Sequence, residues 1–277
     1  MFTKKLIALG ISALLSIAVT GCSSTTNSTS DTAAGHTTNT TPHFTYGAAD
    51  STGPQHWGTL STDWATCSNG NALSNDFTGN HQSPINFAGT SAAVTLGLSI
   101  GGAGQLEFIR ENNGHTIELK EEDAANSATI TINSITYTLL QFHFHANSEH
   151  QDHGQYAPME VHFVFANTSD PAATKYAVVG GFIDQGTSSN SELAKALAAA
   201  LPADGVIETT PIAISVANII SDGSAAYRYN GSFTTPPCTE GVEWTVLSQH
   251  LTLSAADIKT FTDHYSNNFR PLTGTLN

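Results

Sequence analysis

The stretch Gln141-Phe142-His143-Phe144-His145 sets two imidazoles two residues apart in a run that reads as a β-strand. Successive side chains of a strand point to opposite faces, so Gln141, His143 and His145 share one face and Leu140, Phe142 and Phe144 the other. Two imidazoles so placed can grip one metal ion. The stretch Met159-Glu160-Val161-His162-Phe163-Val164-Phe165 alternates in the same way, with Glu160, His162 and Val164 on one face. If the two strands are neighbours, His162 joins His143 and His145. Three histidines without a fourth protein ligand form the donor set of catalytic zinc, which keeps a position for water, whereas structural zinc is closed by four ligands.

A His-x-His pair alone is as compatible with two half-buried histidines as with metal binding. The neighbouring residues favour the metal. A ligating histidine passes its other ring N–H to a carboxylate, amide or carbonyl. Gln141 and Glu160 each stand two residues before a ligand, on the ligand face. A carboxylate facing inward on so apolar a strand needs a partner, and Glu160 behind His162 satisfies both groups.

Further segments follow in a fixed order: Gln82-Ser83-Pro84-Ile85-Asn86, Asn112-Asn113-Gly114-His115, Ser148-Glu149-His150, Gly231-Ser232-Phe233-Thr234-Thr235-Pro236-Pro237-Cys238, Trp244, and Asn268-Phe269-Arg270-Pro271. With the two histidine strands they resemble the motifs of exported bacterial α-class carbonic anhydrases, from about Tyr46 to the C-terminus. The resemblance implies Zn2+ as cofactor, carbon dioxide and bicarbonate as substrates, and reversible hydration by attack of zinc-bound hydroxide on carbon dioxide. Zinc lowers the pKa of its water to about 7, a value established in this same family of enzymes. Thr234 is implied as the acceptor that orients the hydroxide, because its one proton is committed to Glu149. Val164, on the face of His162, with Val178, Phe233 and Trp244 by family position, forms the apolar wall for carbon dioxide, and Thr235 touches the product. His115 is the implied proton shuttle, since imidazole titrates near neutral pH; Tyr46 helps order the connecting waters. Gln141, Glu160 and Asn268 stand behind the ligands.

Two features depart from the animal members of that family. Only Ala146-Asn147-Ser148 separates His145 from Glu149, and Glu118 stands where a neutral amide is common. His150 is expected in a structural hydrogen bond, and His56, His81, His153, His250 and His264 have no spacing that favours a ligand role.

These residues must be positioned by strands. Alternating runs at 128–139, 176–182 and 244–248 are separated by Gly, Asn, Asp and Pro, as in a mostly antiparallel sheet. Helices are expected at 191–201, where Leu193, Leu197 and Leu201 recur, and at 254–265, which opens with a Ser-x-x-Asp capping signal. Pattern alone gives a strand-dominated α+β fold. The resemblance implies a large twisted central sheet of about ten strands with the metal at the bottom of a cleft.

A chain of 277 residues with 39% hydrophobic content holds one large domain. Against 23 acidic residues stand 9 basic ones, a formal charge of −14; no basic cluster offers a phosphate contact, which argues against nucleic acid as a partner. Lys4 and Lys5 precede an apolar run at 6–19 that is short for a membrane span and reads as an export signal. Its end, Val19-Thr20-Gly21-Cys22, resembles a bacterial lipobox, with Cys22 as the lipidated first residue of the mature chain. The expected organisation is a signal at 1–21, a Ser/Thr-rich tether at 22–43 that includes His36 and His43, and a catalytic domain at 44–277. Localisation follows as periplasm or cell envelope, with the membrane touched only through the Cys22 anchor. Cys67 and Cys238 remain, and in an oxidising compartment two leftover cysteines suggest a bridge; the resemblance supports that pairing. A homodimer stays open. So do two rival functions, an inactive carbonic-anhydrase-like binding domain and an unrelated double-sheet metal protein. The first usually lacks a zinc histidine, and all three are present here.

Overall fold

The computed structural model describes residues 42–70, 81–88, 94–95, 104–122, 127–170, 173–198, 200–221 and 224–276. The export signal, Cys22 and the tether up to residue 41 lie outside them. The strands are β1 Ile85–Phe87, β2 Val94–Thr95, β3 Leu106–Asn112, β4 Ile117–Glu121, β5 Thr129–Ile132, β6 Ile135–His145, β7 Gln151–Asp152, β8 Met159–Asn167, β9 Lys175–Gln185, β10 Ile212–Ile214, β11 Ala225–Ser232, β12 Glu240–Leu253 and β13 Gly274–Leu276. The helices are α1 Trp57–Leu60, α2 Ser191–Leu197 and α3 Ala255–Thr262, with a short 3-10 helix at Thr62–Ser68. Among these residues no helix is long and apolar enough to cross a membrane.

The large sheet has ten strands in the order β10-β3-β4-β6-β8-β9-β12-β11-β2, with β5 pairing β6 off this path. It is mixed, because β9 and β12 run parallel while their neighbours in the sheet pair antiparallel. A second sheet of three strands, β13-β1-β7, pairs in parallel. The alternating run at 128–139 is not one strand: Asn133 and Ser134 take positive φ (51° and 63°) and fold it into the β5–β6 hairpin, as a two-residue turn of matching twist requires.

Alternation along β6 and β8 separates two cores. Phe142, Phe144, Phe163 and Phe165 are buried on the face covered by Leu193 and Leu197 of α2 and Phe261 of α3. Val164, Val178, Trp244, Tyr229 and Phe87 pack on the opposite face, which carries the histidines. Each fully buried ring stabilises the fold by roughly 1.5–3 kcal/mol relative to exposure. Leu140 leaves the apolar face expected of it and is 44% exposed. A bulge between Leu139 and Gln141 inserts it as an extra residue and resets the register.

α3 starts as its capping signal requires, with Ser254 accepting from Asp257 N. α2 is capped by the Asn190 side chain and ends at Leu197, earlier than the leucine spacing suggests. The Arg110 guanidinium, donating to the carbonyls of Ala196 (3.4 Å) and Ala198 (2.7 Å), takes acceptors that a longer helix would use. Leu201 is buried all the same. A third cluster, Phe44, Trp57, Trp64, Cys67 and Cys238, closes the N-terminal side of the domain.

Candidate metal centre

His143 on β6 stands directly opposite His162 on β8, and His145 follows two residues on. Their ring centroids lie 5.0 Å (143 and 145), 5.4 Å (143 and 162) and 4.7 Å (145 and 162) apart. One nitrogen from each ring falls within 4.8 Å of the others.

The remaining nitrogens are fixed by three kinds of acceptor. His143 Nδ1 meets Gln141 Oε1 at 2.8 Å, and His145 Nδ1 meets the Asn268 carbonyl at 2.7 Å. His162 Nε2 meets Glu160 Oε1 at 2.8 Å. Neither a carbonyl nor an ionised carboxylate can donate, so these three nitrogens carry the protons and the lone pairs of His143 Nε2, His145 Nε2 and His162 Nδ1 are left to converge. His145 and His162 are each 1% exposed, and His145 Nε2 has no hydrogen-bond partner. A buried nitrogen without a partner costs free energy, and a cation shared by the three rings removes that cost. Burial holds all three imidazoles below their ordinary pKa, that of His145 at about 4, so they are neutral at neutral pH, the form in which histidine can bind a metal. The donor set fits zinc with one position open.

Glu160 is fully buried, and burial pushes its pKa up; His150 and His162 outweigh this and hold it well below the carboxylate range. It accepts four hydrogen bonds, from Glu149 N (2.8 Å) and His150 N (2.9 Å) on Oε2 and from His150 and His162 on Oε1. His150 continues to the Tyr229 hydroxyl (2.7 Å), which meets Ser83 Oγ (2.7 Å). His150, Glu160 and His162 also cluster as possible ligands, but their facing atoms already bond one another, so the group is a support. The sequence hinted at His150; Tyr229 and Ser83 carried no periodic signal.

Glu149, also fully buried, has its pKa pushed up to about 7 by burial, against the opposing pull of His162, Thr234 and the Arg270 N–H. That N–H donates to Oε1 at 2.7 Å. Oε2 lies 3.5 Å from His145 Nε2 and 3.8 Å from His162 Nδ1; Thr234 approaches closely enough to stabilise the carboxylate, yet Oε2 has no well-formed hydrogen bond. Thr234 itself is 5% exposed. Its loop is tied by the Cys67–Cys238 disulfide, by Gln82 Nε2 on the Cys238 carbonyl (3.1 Å) and by Thr66 Oγ1 on the Pro237 carbonyl (3.0 Å).

Val164, Val178 and Trp244 form one row across β8, β9 and β12, because Val178 pairs with both others. The Trp244 ring lies 4.9 Å from that of His162 and its Nε1 donates to the Ser232 carbonyl at 2.9 Å. Phe233 and Tyr176 extend the wall, 4.9 Å apart. Thr235 is half-buried beside Thr234. Gly180, opposite His162, is small for a reason: a Cβ there would lie 3.1 Å from Glu160 Oε1 and 3.3 Å from Val246.

Asn268 ties the histidine triad to the turn carrying His115, donating to the carbonyls of His115 and Phe144 (both 3.0 Å) and accepting from Ala146 N (2.9 Å). The His115 ring stacks on Phe44 at 4.0 Å and 7°, with Tyr46 at 6.2 Å. Burial and the charge of His43 push its pKa down to about 4, while Asp204 pulls upward. Burial holds the Tyr46 hydroxyl well above its ordinary pKa, as does the charge of Glu149. Glu118 pairs with His143 across the β4–β6 register and accepts from Asn113 Nδ2 at 3.2 Å; burial raises its pKa. Away from this site His250 meets Asp184 (2.9 Å) and Asp152 (3.3 Å), and His153 meets Asp152 (2.7 Å). His56 and His264 are exposed, and His81 is buried.

Residues 52–275 match the family described as eukaryotic-type carbonic anhydrase. A carbonic anhydrase of Pectobacterium carotovorum is 37% identical over 231 residues, covering 80% of this chain and 86% of that protein. The solved α-carbonic anhydrase of Photobacterium profundum shows 35% identity and a TM-score of 0.69 over 83% of this chain and 96% of its own. That of Thermovibrio ammonificans, solved with sulfanilamide, shows 30% identity and a TM-score of 0.71 over 84% and 96%.

Proposed function

This chain belongs to the eukaryotic-type (α) carbonic anhydrase family, and on that premise we propose that it interconverts carbon dioxide and bicarbonate at a zinc ion held by His143, His145 and His162. The observation that carries this reading is the convergence of three imidazole nitrogens, two of them on buried rings, whose partner nitrogens are all committed to acceptors. When bound, zinc supplies Lewis-acid activation of water, bringing its pKa to about 7 as is characteristic of this family.

The chain's own groups do the rest. The Thr234 hydroxyl, its proton directed to Glu149, offers only lone pairs to the nucleophile and so aligns it. Arg270 N holds Glu149 in place. Val164, Val178, Trp244 and Phe233 give an uncharged, apolar substrate a dry surface beside the triad. His115 takes the released proton. Stacked on Phe44 its pKa is about 4, some three units below a donor near 7, an uphill transfer of about 4 kcal/mol. His115 therefore takes the proton with its ring turned off the Phe44 face and gives it up from the stacked position, where burial lowers its basicity. Stopped-flow measurement of carbon dioxide hydration, with metal analysis before and after chelation, tests the assignment. Activity that tracks one zinc per chain is expected, and hydration that survives complete removal of metal overturns it.

Export and lipid anchoring at Cys22 are part of the same proposal, supported by the basic, apolar and Val-Thr-Gly-Cys segments of the leader. Fatty-acid labelling of Cys22 is expected in cells that process lipoproteins, and a mature chain with an unmodified Cys22 refutes the anchor.

A further inference from the structure

His43 falls by composition with the tether, yet its ring packs against His115, with centroids 5.9 Å apart and planes at 29°. We propose that His43 is a second proton relay that acts through His115, receiving the proton that His115 carries from the metal centre and delivering it to solvent. This rests on the reading of His115 as the shuttle.

Three observations carry it. The two imidazoles lie side by side, centroids 5.9 Å apart, a separation that an intervening water spans for proton exchange between them. Their burial is graded, since His115 is half-buried and His43 exposed, so the pair leads outward from the cleft. Stacked on Phe44, His115 has its basicity lowered by burial while its ring lies beside His43, so this position favours handing the proton outward. The other groups around the pair do not replace His43. The Tyr46 hydroxyl is held protonated, well above its ordinary pKa. Tyr265, held above its ordinary pKa by burial, donates to Asn112 and to Asp204 (3.3 Å). The Asn113 side chain is occupied by Glu118, His115 N and Thr116 N. Asp204 acts on His115 by its charge, favouring the transient imidazolium.

The step balances. The imidazolium N–H of His115 breaks as the N–H of His43 forms; His115 returns to neutral, and His43 then loses the proton to buffer. The pair is also coupled electrostatically, because charge on His43 lowers the pKa of His115 and so opposes back-loading.

The test compares zinc-loaded native protein, His115→Ala, His43→Gln and the double variant in carbon dioxide hydration at low buffer concentration. Expected is a fall in kcat of about threefold for His43→Gln, well below the full worth of a proton-transfer group, with kcat/KM unchanged and recovery on adding imidazole. His43→Gln should add nothing in the His115→Ala background, as befits two groups in series. Histidine NMR should show His115 titrating at higher pH in His43→Gln. A native kcat for His43→Gln in dilute buffer, alongside a clear loss for His115→Ala, overturns the relay and leaves the shuttle intact. An equal loss from His43→Gln with and without His115 also overturns it. No loss for His115→Ala overturns shuttle and relay together.

Discussion

Replacing Glu160 with glutamine isolates the hydrogen-bond logic that frees the third ligand nitrogen. The side chains are nearly isosteric, so packing is kept and only charge and donor-acceptor balance change. The carboxylate accepts from two backbone N–H groups on Oε2 and two imidazoles on Oε1. A carboxamide has one accepting oxygen and one donating nitrogen. If the oxygen stays on the backbone side, the amide N–H groups face His150 Nδ1 and His162 Nε2, and both must accept. His162 then carries its proton on Nδ1, the nitrogen turned toward the triad, and its ligand lone pair is lost. His150 must reverse toward Tyr229 as well, which disturbs the Ser83 contact. In the flipped arrangement the imidazoles keep their tautomers, but two buried backbone N–H groups lose their acceptor at about 1–3 kcal/mol each. The partner behind a metal ligand is worth 10- to 100-fold in affinity, about 1.4–2.8 kcal/mol. Competition with a chromophoric chelator should therefore show at least a tenfold weaker zinc Kd, and a melt of the metal-free protein separates the two arrangements, since only the flipped one destabilises it strongly. Native zinc affinity together with a native Tm would refute the tautomer assigned to His162.

Thr234→Ala should keep its zinc by metal analysis and lose about 10²-fold in hydration kcat/KM, the scale of a single well-placed orienting group; full activity would remove Thr234 from the mechanism. The Cys67–Cys238 bridge closes a segment with a sequence separation of 171, for which chain entropy gives an upper value of about 5 kcal/mol and common experience about 2–4. Cys67→Ser/Cys238→Ser should then lower Tm by roughly 5–15 °C, and an unchanged calorimetric Tm would show that the unfolded chain gains nothing from release. Phe44→Leu removes the flat ring from His115, so NMR should find that imidazole titrating above about 4, toward its ordinary value. The sign for stability follows: a histidine depressed in the fold adds stability above about 6.5 that is lost as pH falls toward 4, and Phe44→Leu should narrow that window. A His115 titration unmoved by Phe44→Leu would place the cause elsewhere.

The triad was legible because two strands of period two each set a histidine and its partner on one face, and adjacent pairing is all the fold had to add. Register was less legible. Nothing in the alternation around Leu140 marks a bulge, because an extra residue changes only which partner it faces. The end of α2 depends on Arg110, about 90 residues away in sequence, and the leucine spacing cannot see it. Tyr176 joins the site on β9, which pairs in parallel with β12, and Gly180 through the antiparallel pairing of β9 with β8, long-range choices without a local signature. Arg270 acts on Glu149 through its backbone N–H, which every residue but proline possesses. His43 sits in a polar, low-complexity stretch where composition argues for a tether, and its contact with His115 ties it to the domain.

Charge balance explains why so much of the chain is spent behind the ligands. Three neutral imidazoles bring no charge, while Glu160 is held ionised by His150 and His162 and Glu149, equally buried, is left near 7 because the protein groups around it do not offset its burial. Arg270 contributes one nearby cation, itself lowered to about 10 by burial and committed to Gln82, Ser83 and Cys67. A divalent ion at the three nitrogens would draw Glu149 into its ionised form, and under the proposed mechanism an ionised Glu149 would hold the Thr234 proton and leave the lone pairs of that hydroxyl facing the substrate. On the proposed function, metal binding and orientation of the nucleophile would be one electrostatic event. Asn268 and Arg270, two residues apart, brace both sides of this arrangement: the first fixes His145 and the backbone of His115, the second fixes Glu149.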